Sequence, residues 1–245
     1  MKGGKRWVLL ALAALAALLP WGRGEDRAAS GTANIPAEPP LVALTFDDGP
    51  RADTTGPLLE GLALREVPAT FFLVGARMEG CGELVRRMAA DGHQIGVHTF
   101  DHVRVTELSR ADYDLQVGKT RALVAELVGA GDYWLRPPYG ITDPSVEKWE
   151  RGPLVLWSVD PEDWKDRDAD RIVAAVTERV EDGDIILMHD IYPSSVEAAL
   201  RIVDLLLDRG FCFVTVEQLM ELRGVEPRAG TEYRSLPPSD ENLEK

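Results

Sequence analysis

The sequence is poor in basic residues, and this shortage excludes several classes of partner. Lysine and arginine number 27 against 41 aspartates and glutamates, which gives a formal net charge of −14 at pH 7. Binding to nucleic acid or to an anionic membrane depends on basic side chains that neutralise phosphates, so we expect neither. A neutral or cationic partner is easier to accommodate. No internal repeat or second domain is visible, so we expect one globular unit with a substantial core.

Long apolar runs are also missing, apart from one short run near the start of the sequence. Residues 8–19 are apolar, follow the basic segment MKGGKRW and stop before a proline. Such a run falls short of the roughly 20 residues that span a bilayer as a helix. We therefore interpret residues 1–24 as an export signal, with a short retained anchor as the alternative. The protein is expected to be secreted or associated with the cell envelope, with no stable membrane insertion beyond this segment.

Cysteine is scarce, since Cys81 and Cys212 are the only two in the chain. Neither lies near the apolar run, so that segment offers no site for a lipid-modified amino terminus. The two cysteines could form a disulfide outside the cytoplasm or remain as buried thiols, and the sequence leaves both possibilities open.

Two stretches lack a sustained apolar period and mark the expected domain boundaries. Residues 25–40 are small, polar and rich in proline, which is typical of a flexible linker. Residues 223–245 are charged and contain several prolines, so we interpret them as a disordered tail. The expected folded domain is residues 41–222.

Within that domain, short apolar runs alternate with helical patterns. The seven expected strands are Leu41 to Phe46, Ala69 to Val74, Gln94 to Val97, Tyr133 to Arg136, Leu154 to Val159, Asp184 to Met188 and Phe211 to Thr215. The helical period between them is clearest before Gly183 and Gly210, and weakest after Pro144. Repeated βα units with buried strands predict an α/β fold with a parallel sheet, and seven units favour an incomplete barrel. An open doubly wound sheet is the alternative.

Polar residues that could carry chemistry follow most of the expected strands. They are Asp47 and Asp48 after the first strand, His98 and His102 after the third, the segments RPPYG and DPEDW at the fourth and fifth, and His189 after the sixth. In a barrel of βα units the carboxyl ends of the strands meet on one face, where such folds build active sites. Two histidines four residues apart and a carboxylate can form a catalytic metal site with open positions. His93 precedes its strand and is expected to be packed or hydrogen-bonded instead.

Five segments, TFDDGP, HTFDH, RPPYG, DPEDW and LMH, occur in this order and resemble the five motifs of the polysaccharide deacetylases, carbohydrate esterase family four. The resemblance covers residues 41–222. It implies a single domain with a distorted (β/α)7 barrel of parallel strands. It also implies a hydrolase that uses a divalent metal to remove acetyl groups from N-acetylated sugars, such as those of chitin or peptidoglycan. The expected partner is an acetylated glycan, and the expected state is a monomer.

The same resemblance implies roles for the residues at the strand ends. Asp48, His98 and His102 would bind the metal, with zinc expected first and cobalt or another divalent ion as the alternative. Asp47 would be the general base for a metal-bound water that attacks the acetamide. His189 would protonate the departing sugar amine, a step that amide cleavage requires because an amine leaves poorly as an anion.

Five further residues would support these groups, again by resemblance. Arg136 would orient the base, and Asp163 would pair with the acid histidine. The backbone N–H of Tyr139 would help to hold the oxyanion, while Trp164 and Leu187 would form an apolar wall around the acetyl methyl group. This chain departs from the family at Val103, where a proline usually follows the second histidine, and the change should alter loop stiffness rather than ligand chemistry.

Several other functions remain as alternatives. An O-acetyl polysaccharide esterase could use the same site, and nothing in the sequence separates chitin from peptidoglycan as the glycan. A non-catalytic carbohydrate-binding relative could lose the base or the acid, but Asp47 and His189 are both present. The His-Glu-xx-His motif of many metallopeptidases is absent, and so acidic a protein would suit a phosphoesterase poorly.

Overall fold

The computed structural model of the protein describes residues 38–238. The expected export signal, residues 1–24, and nearly all of the expected linker, residues 25–40, lie outside this range. Within residues 38–238, no helix combines the length and the apolar character that a membrane span requires.

Strands and helices alternate along the described chain as the sequence predicts. The elements are β1 (Leu41–Asp47), α1 (Ala52–Leu64), β2 (Thr70–Leu73), α2 (Gly82–Ala90), β3 (Gln94–Val97), α3 (Arg110–Val128), α4 (Pro144–Trp149), β4 (Leu154–Val155), α5 (Ala169–Thr177), β5 (Asp184–His189), α6 (Pro193–Asp208), β6 (Cys212–Val214), α7 (Val216–Leu222) and β7 (Glu232–Tyr233). The expected fourth strand forms only single bridges at Leu135, and the fifth is cut to two residues. The helix after Pro144 is short, as its weak pattern indicates.

Parallel pairing passes from strand to strand around the sheet and comes back to β1. β1 pairs with β2, and β2 pairs with β3. Single bridges then link Val97 to Leu135 and Leu135 to Leu154 in β4. Val159 bridges Ile186 in β5, and β5 pairs along the length of β1, while β6 lies beside the start of β1. The sheet therefore closes into a distorted barrel, which confirms the expected fold and not the open alternative.

The alternation of side chains along β1 separates the outer core from the inside of the barrel. Leu44 and Phe46 are buried in the large cluster that packs against the helices. The intervening residues face inward, where Ala43 joins a second cluster and Thr45 and Asp47 meet a buried arginine. Because successive residues of a strand point to opposite faces, a carboxylate can stand inside the barrel without disturbing the outer core.

The segment after α7 closes the amino end of the barrel, so the expectation of a disordered tail is wrong for residues 223–238. β7 pairs with β4, and the N–H of Leu156 donates to the carbonyl of Tyr233 at 2.8 Å. Leu236 is buried in the inner cluster together with three residues of α7. Residues 239–245 lie outside the described range.

The composition of this segment does not allow its contribution to the fold to be predicted. β7 has only two residues, and the apolar side chains Val225, Tyr233 and Leu236 are scattered among charges and prolines. Such a segment has no period for a sequence pattern to detect. It is held by long-range contacts, such as the N–H of Leu236 donating to the carbonyl of Gly183 at 2.8 Å.

Candidate active site

A cleft of about 370 Å³ opens at the carboxyl ends of the strands. The residues that line it are Asp47, Asp48, His98, His102, Tyr139, Trp157, Asp160, Trp164, Leu187 and His189. Eight of the expected site residues are therefore brought together, and the other two, Arg136 and Asp163, lie fully buried behind the wall. Trp157 and Asp160 were not predicted from the sequence, although Asp160 begins the segment DPEDW and could have been recognised there.

Asp48, His98 and His102 converge on one point of the cleft. Each offers a ligand atom, and these atoms lie within 4.8 Å of one another. The buried Oδ1 of Asp48 makes no hydrogen bond within residues 38–238, although His102 Nε2 lies 3.3 Å away. Two imidazole nitrogens and a carboxylate are a donor set that suits zinc or cobalt. A divalent cation held between the three groups would also satisfy the unpartnered oxygen, so these residues fit a metal site.

The orientation of His98 is fixed from behind the cleft. Its Nδ1 lies 2.7 Å from the carbonyl oxygen of Arg136, so this nitrogen carries the proton, and Nε2 presents its lone pair to the cleft, 3.9 Å from Oδ1 of Asp48. Burial is the largest influence on the ring and lowers its pKa to about 3. His98 is therefore a neutral imidazole, the form that ligates a metal.

The loop that carries both histidines uses an unusual backbone conformation. Thr99 and His102 have φ values of 61° and 56°, in the left-handed region that non-glycine residues seldom adopt. The N–H of Val103 donates to Oγ1 of Thr99 at 3.2 Å. A proline at position 103 could not donate this hydrogen bond, so the departure from the family pattern has a local structural use.

Left-handed residues are concentrated around the cleft. Asp48 and Tyr139 have φ values of 76° and 64°, and Glu162 in the segment DPEDW has 54°. Among residues 38–238, Glu66 is the only non-glycine residue with positive φ that lies away from this face. Backbone strain of this kind persists where the surrounding structure holds it, and it is common at functional sites.

Arg136 holds Asp47 from inside the barrel. The guanidinium is fully buried, and Nη1 donates to Oδ1 of Asp47 at 2.8 Å and to Oγ1 of Thr45 at 2.7 Å. Its Nε and Nη2 donate to the carbonyl oxygens of Val155 and Leu156. Burial raises the pKa of Asp47, while the ion pair with Arg136 opposes that rise. One oxygen of Asp47 is thus fixed by the arginine, and the other is free to face the cleft.

The buried arginine rests on an aromatic layer. Its Cζ atom lies 4.2 Å from the centroid of the Phe72 ring, which is close enough for a cation–π contact. Gly96 makes room for this layer, because a Cβ there would lie 2.5 Å from the Phe72 ring and 2.8 Å from the carbonyl oxygen of Trp134. The inner cluster, Phe72, Arg136 and Asp47 follow one another from the closed end of the barrel toward the cleft.

His189 is paired with a carboxylate through both its backbone and its ring. The N–H of His189 donates to Oδ2 of Asp163 at 2.9 Å, and Nδ1 lies 2.7 Å from Oδ1. Burial lowers the pKa of His189, but the hydrogen bond and charge of Asp163, with the charges of Asp47 and Asp48, outweigh burial and raise it to about 9. The ring is therefore an imidazolium at neutral pH and has a proton to give.

Asp190 is a buried carboxyl group that sequence analysis assigned to no role. It accepts a hydrogen bond from Oγ1 of Thr55, and burial raises its pKa to about 7. The carboxyl lies against Gly49, where a Cβ would come within 2.3 Å of Oδ2. Gly49 is therefore required for the turn after the two aspartates to pack against Asp190.

Two aromatic side chains flank the cleft and are accessible to a ligand. Tyr139 is 53% exposed and Trp164 is 48% exposed. The Tyr139 ring packs edge-on against His102, with 4.9 Å between ring centroids. Leu187 lies deeper and is buried. His93, in contrast, lies away from the cleft and accepts a hydrogen bond from the N–H of Ala69, as expected of a packed histidine.

Comparisons with known proteins agree with the motifs and the fold. The sequence profile of the family described as polysaccharide deacetylase matches residues 34–151. The chain is 39% identical over 183 residues to the peptidoglycan-N-acetylmuramic acid deacetylase PdaC of Bacillus subtilis, covering 75% of this chain and 39% of that protein. It is 38% identical over 196 residues to a chitooligosaccharide deacetylase of Sinorhizobium fredii, covering 73% of this chain and 91% of that protein.

Solved structures are similar to the same part of the chain. A family 4 acetyl xylan esterase from Clostridium thermocellum, in complex with a cobalt ion, superposes with a TM-score of 0.77 at 34% identity, covering 80% of this chain and 99% of that structure. The chain spans about two fifths of the length of the first curated relatives that it matches.

Proposed function

The chain belongs to the polysaccharide deacetylase family, and from this premise we propose that it is a metal-dependent hydrolase that removes acetyl groups from the N-acetylated sugars of a polysaccharide. One observation carries the proposal. Three side chains that could hold one metal ion, a carboxylate held by Arg136 and a protonated His189 surround a single cleft. Amide hydrolysis needs an activated water, a base and an acid, and this cleft supplies a group for each.

The ion would be held by Asp48, His98 and His102, and we propose zinc, with cobalt as the alternative. A divalent ion bound there would act as a Lewis acid that lowers the pKa of a bound water to about 7 and polarises the acetyl carbonyl. Asp48 would bring a negative charge, and His98 is neutral because burial lowers its pKa to about 3. The buried Oδ1 of Asp48, which has no hydrogen-bond partner among residues 38–238, supports this assignment.

Asp47 would take the proton of the attacking water. Its Oδ2 lies 3.7 Å from Nε2 of His98, so it faces the metal ligands, while Arg136 holds Oδ1. A positioned base of this kind typically contributes 10²- to 10⁴-fold to a rate. As the water oxygen bonds to the acetyl carbon, negative charge develops on the carbonyl oxygen. We assign the backbone N–H of Tyr139 to that charge, a contact that can be worth about 3 kcal/mol.

His189 would protonate the sugar nitrogen as the carbon–nitrogen bond breaks. The products are acetate and a free amine, and the proton removed by Asp47 replaces the proton that His189 gives. Asp163 keeps the imidazolium charged until this step, since its hydrogen bond and charge raise the pKa of His189 to about 9. Leu187 and Trp164 would pack against the acetyl methyl group, and their positions in the cleft wall support this assignment.

The glycan and the cellular location are part of the same proposal. Similar proteins are named as deacetylases of peptidoglycan and of chitooligosaccharides, so we propose one of these two N-acetylated glycans as the substrate. We also propose that residues 1–24 direct export, which would bring the enzyme to a cell-wall polymer. Amino-terminal sequencing of secreted protein tests this part, and an intact Met1 in the membrane fraction would contradict it.

Acetate release from defined polymers tests the activity. The full chain is freed of metal with a chelator, reloaded with zinc or cobalt, and assayed on chitooligosaccharides, peptidoglycan and acetylated xylan. We expect acetate and free amine in equal amounts from an N-acetylated polymer, only in the reloaded protein. Asp48→Ala should lose metal and activity together, whereas Asp114→Ala, which changes an exposed acid on α3, should keep both.

Two results would count against the proposal. Release of acetate from xylan alone would assign the chain to O-acetyl esters. No release from any polymer by the metal-loaded protein would remove the proposed activity altogether.

A further inference from the structure

Four loops at the cleft face each carry an arginine, which we call the arginine rim. Arg51 follows β1, Arg77 follows β2, Arg104 follows β3 and Arg167 follows β4. All four side chains are exposed. Loops that follow the strands of a barrel share one face, so the four guanidinium groups belong to the side on which the cleft opens. The same loops also carry acidic side chains, among them Asp101, Glu162 and Asp166, so the rim is defined by its guanidinium groups and not by an excess of positive charge.

Two rim arginines contact residues of the cleft directly. Nη1 of Arg77 donates to the backbone carbonyl of Asp48 at 2.8 Å. Cζ of Arg104 lies 5.0 Å from the centroid of the Tyr139 ring. These two guanidinium groups are therefore close to the metal ligands and to the exposed aromatic side of the cleft.

Arg167 lies on the side of the cleft that carries the acid histidine. Its Cζ is 4.0 Å from the centroid of the Tyr192 ring, and that ring lies 6.5 Å from the ring of His189. Stacking on Tyr192 covers one face of the guanidinium and leaves its N–H edge available for hydrogen bonds.

The rim arginines differ in whether a carboxylate already neutralises them. Arg51 forms a two-point pair with Asp53, at 2.7 and 3.0 Å. Arg104 approaches Glu107 at 4.0 Å. In the part of the chain that the structure describes, Arg77 and Arg167 have no carboxylate within 4.0 Å. Two exposed guanidinium groups beside the cleft are thus available to an anion.

We propose that the arginine rim binds an anionic oxygen group, a carboxylate or a phosphate, that the glycan carries near the reacting acetamide. This proposal rests on the proposed function and makes the substrate an acidic glycan rather than a neutral one. A guanidinium pairs with either group through two parallel hydrogen bonds. Arg167 is the residue chosen for the test, because it stacks on Tyr192 rather than on a proposed metal ligand and, among residues 38–238, has no carboxylate within 4.0 Å.

Electrostatic range explains how an acidic protein can accept an acidic substrate. At physiological ionic strength, charges on exposed groups are screened beyond about 8 Å. The acidic side chains on distant helices are therefore largely screened from a substrate in the cleft. In the loop that carries Arg167, the carboxylates of Glu162 and Asp166 are already paired with Lys165 and Arg171, at 3.0 and 2.6 Å. A neutral glycan could accept ordinary hydrogen bonds from these arginines, whereas an anionic group would accept charge-assisted ones, which are stronger.

Substrate pairs that differ only in charge test the proposal. The zinc-loaded protein is assayed on peptidoglycan strands with free carboxylates and on the same strands after amidation, and on chitotetraose with and without a 6-phosphate. We expect Arg167→Gln to lower kcat/KM about fivefold for the charged member of one pair, mainly through KM, and to leave the neutral member within about twofold. The pair that responds identifies the anionic group as carboxylate or phosphate.

Arg179→Gln is the matched control. Arg179 is also exposed and has no carboxylate within 4.0 Å among residues 38–238, but it lies between α5 and β5, at the other end of the barrel. This substitution should change neither pair. Equal losses on charged and neutral substrates in Arg167→Gln would overturn the proposal, because an arginine that only braces its loop would act on both.

Measurements of glycan affinity distinguish this proposal from the proposed catalytic function. Affinity for the same glycans is measured by calorimetry in Asp47→Asn, with and without Arg167→Gln. Tighter binding of the charged member that Arg167→Gln removes would support the rim even if the wild-type protein released no acetate, a result that would reject only the proposed function. Equal affinity for charged and neutral members would overturn the rim, whatever the turnover.

Discussion

The two halves of the barrel are held together in different ways. β1, β2, β3 and β5 form the regular half, in which parallel pairing runs along each strand. Residues 133–168 form the irregular half, which has the two-residue β4 and single bridges at Leu135 and Val159. The irregular half depends instead on side chains and on β7, which pairs with β4 and is followed by a bridge from Ser235 to Asp184 in β5.

Each half supplies a different kind of site residue. The regular half carries the groups proposed to bind metal or move protons, namely Asp47, Asp48, His98, His102 and His189. The irregular half carries the residues that contact them. Arg136 holds Asp47, the carbonyl of Arg136 fixes His98, Asp163 pairs with His189 and Tyr139 packs on His102.

These side-chain contacts between the two halves, which we call the seam, therefore determine the protonation state and charge of the groups proposed to react. Backbone pairing positions a strand end, but it cannot decide which nitrogen of a histidine is protonated or whether a buried carboxylate keeps its charge. Those properties come from the partner across the seam. Substitutions on the two sides should have different consequences, and the following predictions use that difference.

The largest effect is expected from Asp47→Asn in the regular half. The amide keeps the shape of the side chain but cannot accept the proton, so turnover should fall roughly 10²- to 10⁴-fold while metal content stays unchanged. Activity and metal stoichiometry are measured on the same preparation, with Asp48→Ala as the comparison that should lose its metal. If Asp47→Asn lost metal and Asp48→Ala retained it, the base and ligand assignments would be reversed.

The next largest effect is expected from removing the ion pair between Arg136 and Asp47, which belongs to the seam. Arg136→Met leaves Asp47 buried without its ion partner, and breaking a buried pair typically costs about 3 to 5 kcal/mol. The free energy of unfolding, from denaturant titration, should fall by about that amount. Arg65→Met, which breaks a surface pair with Asp204, should cost at most about 1 kcal/mol. Equal losses in the two variants would show that the buried pair does not join the halves.

A smaller loss of stability is expected where the irregular half meets the carboxyl-end segment. Leu236→Ala removes a buried side chain from the inner cluster and should lower the free energy of unfolding by about 2 kcal/mol. Leu222→Ala, at a leucine that is 48% exposed, should change it by less than about 0.5 kcal/mol. A wild-type stability in Leu236→Ala would mean that this segment does not close the barrel in solution.

The smallest effect is a shift in pH dependence from Asp163→Asn. Asp163 raises the pKa of His189 to about 9, so the wild-type activity should stay high through neutral pH and fall as pH rises through about 9. Without the carboxylate the imidazolium loses its proton at lower pH, and the alkaline limb should move down by about one unit or more. The profile of kcat against pH measures this, and an unmoved limb would remove Asp163 from the role.

The raised pKa of His189 also predicts how the free energy of unfolding depends on pH. Because the folded pKa is raised above the usual value of about 6.5, the pairing stabilises the fold fully below about pH 6.5. This contribution is lost as the pH rises through about 9. Asp163→Asn should therefore lower the free energy of unfolding more at pH 6 than at pH 10.

The sequence predicts the regular half better than the irregular half. The expected strands at 94–97 and 184–188 match β3 and β5 within one residue. A buried parallel strand can be recognised in a sequence because it forms a continuous apolar run. The runs at 133–136 and 154–159 are equally apolar but form little regular pairing. Their conformation depends on partners that lie far along the chain, such as β7. Such a partner cannot be predicted from the residues of the run itself.

The site shows the same division. Asp47, Asp48, His98 and His102 could be found because they lie in short segments at strand ends. Asp190 could not be assigned, because its burial depends on Gly49 and Thr55, which belong to another part of the chain. The rim arginines were also invisible as a group, since only the barrel brings four separate loops to one face.

The pairing of β1 has a consequence for the way the chain is made. β1 is the first strand of the barrel, yet Thr45 bonds to Ile186, which lies 141 positions later, and the amino end closes only with residues 223–238. A nascent chain on the ribosome cannot complete these contacts until nearly all of it has been synthesised, and such non-local pairing is slow to form. The barrel should therefore complete its fold only after residues 223–238 have been synthesised, rather than strand by strand.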